Sequence, residues 1–178
     1  MESPDDTQPG SSAGSSGEEM QSEWQELSGL FIRVVKDKQF WLAFALGPLV
    51  WLLLYLFIGQ TAAIGLSLKV FLTSVILYPV IEEYAFRGFV QSWLLEKKFL
   101  KTAFFKVGFL KALSGANVIT SMLFAAMHLF NQPPVWAALV FAPSLVFGYL
   151  RERYNAVIPS VVIHSWYNLG FLWLFSGA

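Results

Sequence analysis

The stretch YPVIEEYAFRGFV (residues 78–90) places two adjacent carboxylates inside an apolar part of the chain. Glu82 and Glu83 stand side by side, and Arg87 follows Glu83 by four residues. The residues before them, LKVFLTSVILYPVI (68–81), are long and apolar enough to enter a bilayer. An uncompensated carboxylate near the bilayer centre costs roughly 2.5–3.5 kcal/mol or more, so charge at this depth usually serves a function. The stretch therefore predicts a membrane helix that carries a functional site.

The composition of the chain is typical of a membrane protein. Of its 178 residues, 56% are hydrophobic and only 13% are charged, whereas a soluble domain is about one quarter charged. The formal net charge is zero, so there is no basic surface of the kind that binds nucleic acid. The absence of cysteine excludes disulfides, thiol nucleophiles and cysteine-based metal sites.

The acidic residues are concentrated near the N-terminus, and only five of the twelve lie beyond residue 26. The first residues are also rich in Ser, Gly and Pro, a composition that cannot bury enough apolar surface to become ordered. They lack the basic and apolar regions of a signal peptide. We predict a disordered acidic tail over residues 1–28 and a membrane-embedded domain over 29–178, with a short interfacial helix within 21–39.

The apolar segments predict an all-α, polytopic integral membrane protein. We expect about five or six transmembrane helices in a compact bundle around an intramembrane polar cavity. The predicted spans lie near residues 40–58, 61–96 (bent at Pro79), 115–130, 135–150 and 156–175. The lysine-rich segment 97–114 is expected to lie at the membrane interface.

The basic residues predict the orientation of the chain. Arg33, Lys36 and Lys38 precede the first span, whereas the connections at 59–60 and 131–134 carry no charge. Because basic residues collect on the cytoplasmic side of a membrane, we expect a cytoplasmic N-terminus.

Other polar residues lie within the apolar segments. His128 and His164 are the two histidines of the chain, and Asn168 follows His164 by four residues. Residues four apart share one face of a helix, so His164 and Asn168 can face the same point, and Glu83 can pair with Arg87. Glu82 is turned about 100° from Glu83, so the two acids need not share a partner.

Two interpretations of these residues are open. In the first, Glu83 and Arg87 form an ion pair that stabilises the helix, and the histidines are hydrogen-bonded core residues. In the second, the polar groups of several spans converge in a site for hydrolysis. A desolvated glutamate is an effective general base toward water, a histidine can hold the same water, and His with Asn can stabilise an oxyanion.

Three motifs resemble those of a known family. The sequences EEYAFR (82–87), FAAMH (124–128) and HSWYN (164–168) correspond to EExxxR, FxxxH and HxxxN, in that order along the chain. This arrangement is similar to the CAAX-protease and bacteriocin-processing family of intramembrane endopeptidases. The resemblance covers about residues 65–175.

The resemblance implies a glutamic-type protease without a cofactor. It makes Glu82 the base and His128 its partner in activating water. It makes His164 and Asn168 the donors to the oxyanion. Glu83, Arg87 and Phe124 are supporting residues, of which Phe124 is expected to pack rather than react.

Alternatives to this assignment remain. A set of Glu82, His128 and His164 has the donor atoms of a catalytic zinc site. A non-catalytic protein of the same fold, such as an immunity-type binder or a proton-coupled carrier, would use the same Glu and His residues differently. The expected substrate is a membrane-associated protein or peptide, cleaved in a C-terminal tail, sorting tag or leader. The expected location is a bacterial or archaeal inner membrane.

Overall fold

The structure, a computed structural model, describes residues 12–58, 67–107 and 110–175, and these are nearly all helical. The chain divides into two compact units, Met1–Asp37 and Lys38–Ala178. The predominance of helix agrees with the sequence analysis. The exception is one β-hairpin within the lysine-rich segment.

The first unit contains a single long helix, α1 (Ser12–Lys36). Its exposed apolar residues recur every three or four positions, at Met20, Trp24, Leu27 and Phe31, and so form one stripe along the helix. The structure thus has helix over 12–28, where the composition predicts a disordered tail. Residues such as Glu, Gln, Met and Leu in this region are good helix formers, and the apolar stripe has helical spacing. The remaining residues of the predicted tail, 1–11, lie outside the described residues.

The second unit begins with two long helical segments. Helix α2 covers Lys38–Ile58. A continuous helical run from residue 68 to residue 95, here called α3, carries the Glu pair. Its successive pieces are Leu68–Val70, Phe71–Leu77, Tyr78–Glu83, Tyr84–Gln91 and Ser92–Leu95.

Two pieces of α3, Phe71–Leu77 and Tyr84–Gln91, are wound as π-helix. The first of them directly precedes the α-helical turn that contains Pro79. A proline in a helix lacks an N–H donor and its ring crowds the carbonyl four residues earlier. A wider π-turn before the proline relieves this crowding, and π-turns are frequent at functional sites.

The rest of the unit consists of short and medium elements. They are helix α4 (Lys98–Lys101), strands β1 (Ala103–Val107) and β2 (Leu110–Ser114), and helices α5 (Gly115–His128), α6 (Pro134–Leu139), α7 (Phe141–Tyr154) and α8 (Ile158–Phe175). The strands pair antiparallel, with Ala103 opposite Ser114. Phe and Val favour strands, but the sequence analysis predicted no hairpin. Ser114 ends β2 and also caps α5, since its side chain accepts a hydrogen bond from Asn117 N.

Two segments among the described residues are long and apolar enough to cross a membrane, namely Lys38–Phe57 and Pro134–Tyr154. They overlap the predicted spans 40–58 and 135–150. Helix α5 has 14 residues, which at 1.5 Å per residue is roughly 21 Å and short of a 30 Å hydrocarbon core. The count of five or six spans therefore stays a prediction.

Helix α8 is held between α2, α3 and α7. On the α2 side, Trp166 Nε1 donates to Phe44 O at 3.0 Å and Tyr167 OH donates to Ala43 O at 2.6 Å. On the α7 side, Ser160 Oγ donates to Phe147 O at 2.7 Å. These buried or half-buried bonds fix the position of the helix that carries His164 and Asn168.

Candidate active site

His164 joins the two glutamates of α3. Its Nδ1 lies 2.9 Å from Glu83 Oε1, and its Nε2 lies 3.7 Å from Glu82 Oε2. Glu83 is fully buried, whereas the Glu82 side chain is 33% exposed. A carboxylate only accepts hydrogen bonds, so Nδ1 carries a proton that it donates to Glu83. The ring is thereby oriented with its second nitrogen toward the accessible carboxylate.

Arg87 forms the other side of the Glu83 environment. Its Nε lies 3.3 Å from Glu83 Oε2, and both side chains are fully buried. This distance makes an ion pair, although the N–H is not directed along a hydrogen bond. The guanidinium is instead hydrogen-bonded to α7, where Nη2 donates to Ser144 Oγ at 2.6 Å and to Ser144 O at 2.9 Å. Buried charges are tolerated when they are paired in this way.

Two aromatic rings enclose these groups. Phe147 stacks on the His164 ring with centroids 4.7 Å apart and planes 15° apart, and Phe124 meets it edge-on at 5.8 Å. The Arg87 guanidinium lies 4.7 Å from the Phe124 centroid and 5.6 Å from that of Phe147. Both phenylalanines are almost completely buried. They hold the imidazole and the guanidinium in place and keep bulk water from Glu83.

His128 lies one helical turn after Phe124 on α5. Its Nδ1 is 2.9 Å from Phe124 O, and its ring is 4.7 Å from the Phe124 ring. Because a carbonyl is an acceptor, Nδ1 donates the hydrogen bond, and in the neutral ring Nε2 keeps its lone pair. The Glu82 carboxyl interacts electrostatically with both His128 and His164. The structure thus brings residues from all three motifs into one neighbourhood.

Asn168 also faces α3, but at a different point. Its Nδ2 donates to Ser74 O at 2.9 Å, nine residues before Glu83. One of its two amide protons is thus engaged with the backbone of the first π-turn. The other proton and the amide oxygen take no part in that bond.

The described residues contain no group of three or more His, Cys, Asp or Glu side chains arranged to hold a metal ion. The set of Glu82, His128 and His164, which has suitable donor atoms, is therefore not arranged as a metal-ligand cluster. One ring nitrogen of each histidine is already engaged, with Glu83 or with the Phe124 carbonyl.

An apolar cavity of about 600 Å³ lies beside the Asn168 end of α8. Trp166, Leu169 and Gly170 of α8 line it, and Trp51 of α2 closes one side. Leu68 and Phe71 from the start of α3 line it as well. Its walls are apolar, and neither the glutamates nor the histidines of the site line it.

Ser144 and Phe147 of α7 contact the predicted residues but were not predicted. Neither belongs to one of the three motifs, and a single serine or phenylalanine in an apolar helix has no distinguishing pattern. The polar residues on α7 offer a signal, since Ser144 and Glu152 are eight residues apart and so lie on one side of the helix.

The chain matches a known protein family. Residues 64–170, more than half of the chain, match the family described as type II CAAX prenyl endopeptidase Rce1-like. No curated protein and no solved structure matches the chain significantly. The matched region contains all three motifs, and it confirms the resemblance found in the sequence.

Proposed function

Since the chain belongs to the Rce1-like family of type II CAAX prenyl endopeptidases, which are membrane-embedded proteases, we propose that it hydrolyses a peptide bond by means of water activated at Glu82. The observation that carries this proposal is the placement of His164 between two carboxylates, with Nδ1 at 2.9 Å from Glu83 and Nε2 at 3.7 Å from Glu82. The buried carboxylate orients the ring, and the accessible carboxylate faces the place where substrate arrives.

The 3.7 Å separation of Glu82 Oε2 and His164 Nε2 suits a shared water. A water oxygen can lie about 2.8 Å from each atom at once. In the proposed reaction, Glu82 takes a proton from this water while the oxygen bonds to the scissile carbonyl carbon. Collapse of the tetrahedral intermediate breaks the C–N bond, and Glu82 returns the proton to the departing amine.

His164 and Asn168 are proposed to stabilise the oxyanion. When the His164 ring carries both protons, it donates to Glu83 from Nδ1 and offers Nε2–H to the developing negative charge. In that state Glu82, Glu83, Arg87 and His164 sum to no net charge, which favours burial of the group. Asn168 retains one amide proton beyond its bond to Ser74 and contributes it as the second donor.

His128 is proposed to orient the attacking water. Its donated bond to Phe124 O leaves Nε2 of the neutral ring as an acceptor, and the ring is within electrostatic range of Glu82. An acceptor at this place holds the water proton that Glu82 does not take. This is the role that the resemblance implies for His128.

The proposed substrate is the C-terminal tail of a membrane-associated protein, and the family description points to a prenylated CAAX tail. The apolar cavity of about 600 Å³ beside Asn168 has room for an apolar group attached to such a tail. We also propose a bacterial or archaeal inner membrane as the location, with the N-terminus cytoplasmic. Three basic residues before the first predicted span support this orientation, namely Arg33 and Lys36 at the end of α1 and Lys38 at the start of α2.

The test is cleavage of a farnesylated fluorogenic peptide with a CAAX ending by the purified full chain. Glu82→Gln, which keeps the size of the side chain but removes the base, should abolish cleavage. Glu96→Gln is the matched control, because Glu96 is exposed and follows the last turn of the same α3 run. Both variants should insert and fold like the natural chain.

If Glu82→Gln cleaves the peptide at the natural rate, the proposed mechanism is wrong. If the natural chain cleaves neither this peptide nor any membrane protein in a comparison of protein termini between cells with natural and Glu82→Gln chains, the non-catalytic interpretation replaces the protease.

A further inference from the structure

Two helices of the site carry polar residues at matched intervals. On α3 these are Glu83, Arg87 and Gln91, and on α7 they are Ser144 and Glu152, with Gly148 midway between them contributing its backbone carbonyl. Residues four apart lie on one face of a helix, so each set forms a stripe. All except Glu152 are completely or almost completely buried, and Glu152 is half-buried.

The two stripes meet rung by rung. Arg87 Nη2 donates to Ser144, as described above. One turn further on, Gln91 Nε2 donates to Gly148 O at 3.0 Å and to Glu152 Oε1 at 2.7 Å. Ser114 Oγ also donates to Glu152 Oε1, at 2.5 Å. We refer to Arg87–Ser144 and Gln91–Gly148–Glu152 as the polar ladder.

The Arg87–Ser144 contact determines how the Arg87 guanidinium is oriented. Within the described residues Arg87 Nε and Nη1 have no hydrogen-bond partner. The two bonds from Nη2 to Ser144 are thus the hydrogen bonds that set the plane of the guanidinium. The shorter of them, 2.6 Å, goes to the hydroxyl oxygen, and bonds that involve a charged group are the stronger kind.

A continuous chain of polar contacts leads from Ser144 to the proposed water site. Ser144 Oγ holds Arg87, Arg87 Nε lies 3.3 Å from Glu83, and Glu83 holds His164 Nδ1 at 2.9 Å. The opposite nitrogen of His164 faces Glu82. Each link is buried, so solvent does not screen it.

From this chain we infer that Ser144 is a positioning residue for His164, acting through Arg87 and Glu83. Ser144 touches neither the proposed water nor the substrate site, and it belongs to none of the three motifs. The inference rests on the proposed function for its effect on catalysis. Its effect on the His164 ring stands on the contacts alone.

The chain offers a direct readout, because it contains only two histidines. The full-length protein, labelled with ¹⁵N-histidine in detergent micelles, gives two sets of imidazole signals, which a His128→Gln variant assigns. Ser144→Ala removes the hydroxyl and keeps the carbonyl acceptor. We expect it to change the ring-nitrogen shifts and the pH titration of His164, while those of His128 stay as they are. Ser144→Thr, which restores a hydroxyl, should return the His164 signals to their natural positions.

Ser121→Ala is the matched control. Ser121 is also completely buried, and its hydroxyl donates at 3.1 Å to Asn117 Oδ1, an atom outside the chain from Ser144 to His164. This variant loses a buried hydrogen bond of similar kind but should leave the His164 signals unchanged. If Ser144→Ala does not fold, Ser144→Cys, which replaces the oxygen by a weak sulfur acceptor at nearly the same size, takes its place.

Activity provides the second readout. With the farnesylated CAAX peptide, Ser144→Ala should lower kcat about tenfold at unchanged KM, the effect of losing one hydrogen bond to a charged group. Ser144→Thr and Ser121→Ala should stay close to the natural rate.

A His164 spectrum and titration unaltered in Ser144→Ala overturns the inference, whatever the activity. A His164 spectrum that moves equally in Ser121→Ala also overturns it, since the effect would then be general loosening. Failure of the natural chain to cleave the peptide counts against the proposed function and leaves the spectroscopic test of Ser144 intact.

Discussion

His164 Nδ1 lies 2.9 Å from Glu83 Oε1, in the most enclosed part of the site. Glu83 is fully buried and also lies beside Arg87. Its carboxylate therefore accepts a hydrogen bond from His164 of α8 and pairs with the guanidinium of Arg87 of α3. The second glutamate of the pair is therefore the structural centre of the site, and the first is its accessible edge. Different consequences follow for the substitution of each.

Replacement of Glu83 by Gln should affect catalysis through the orientation of His164. The glutamine oxygen can still accept a bond from Nδ1, but its charge is gone, and the amide can turn to present a donor instead. We expect kcat to fall by roughly 10²-fold or more with a smaller change in KM, as when the orienting acid of a catalytic histidine is lost. Steady-state kinetics on the farnesylated peptide measures this. A change confined to KM would contradict the orienting role.

Removal of Arg87 should destabilise the fold. Arg87→Ala leaves the Glu83 charge buried without its cation, which costs about 3–5 kcal/mol in the free energy of unfolding. Arg87→Lys should rescue this only in part, since an ammonium cannot reproduce the planar fork that reaches Glu83 and Ser144 together. Denaturant unfolding in detergent measures the loss.

A double variant separates the charge from the packing of Arg87. Glu83→Gln combined with Arg87→Ala should be less destabilised than the sum of the two single variants, because neither buried charge remains unpaired. If the effects are additive, Glu83 and Arg87 are not coupled, and the 3.3 Å contact contributes nothing to stability.

The residues of the site could be selected from the sequence, but most of their contacts could not. The spacing of Glu83 and Arg87 within a helix predicts their pairing, because residues four apart are neighbours whatever the rest of the chain does. The turn of about 100° between Glu82 and Glu83 left open whether the two acids share a partner. The structure has both facing His164, since the two nitrogens of one flat ring point in opposite directions and reach both carboxylates. Such an arrangement depends on where α8 packs, which no local pattern contains.

The same distinction applies to the fold. Apolar composition and length predict helices, and the described chain is nearly all helix. Ser144 was not predicted, because the hydroxyl of a serine in an apolar helix commonly bonds to the backbone of its own helix and then indicates no distant partner. The hairpin of β1 and β2 was also missed. The two strands are neighbours in the sequence, so their pairing is local. The lysines of this segment, however, indicated only that it lies at the membrane surface.

Gly148 is expected to be required for the close packing of α7 against α5. A Cβ at this position would lie 2.0 Å from Asn117 Oδ1, so Gly148→Ala forces the Asn117 side chain out of its place and away from its hydrogen bonds to Leu145 and Ser121. Overpacking of this kind costs about 1–3 kcal/mol in the free energy of unfolding. Gly88→Ala is the control, since its nearest neighbour would be an atom of Val157 at 3.6 Å, an ordinary contact. Thermal unfolding of both variants measures the difference.

Asn117→Ala should relieve the clash at Gly148. The double variant Gly148→Ala with Asn117→Ala would then lose less stability than the two single changes together. If Gly148→Ala unfolds at the same temperature as the natural chain, the close approach of the two helices is not needed for the fold.

Asn168→Ala should lower the rate more than the stability. The bond to Ser74 O is one neutral hydrogen bond, worth about 1 kcal/mol, whereas loss of an oxyanion donor costs on the order of 10²–10³ in kcat. Parallel measurement of kcat and of the unfolding midpoint distinguishes the two. A loss of activity that only follows the loss of folded protein would assign Asn168 to the support of α3 alone.

Removal of metal ions should leave cleavage intact. The expectation follows from the proposed activation of water by Glu82. The Nδ1 bonds of His164 and His128 do not decide it, because they leave the Nε2 atom of each ring able to coordinate a metal. Glu82, His128 and His164 do not form a ligand cluster among the described residues. A catalytic zinc needs three such ligands at bonding distance and an open fourth position.

The measurement is the rate of peptide cleavage before and after prolonged treatment with a strong chelator, together with the zinc content of the purified protein by mass spectrometry. A zinc peptidase in the same detergent serves as the control for removal of the metal. Stoichiometric zinc in the active protein, with activity lost to the chelator and restored by zinc, would show that these side chains rearrange into a metal site and that the water is activated by the ion rather than by Glu82.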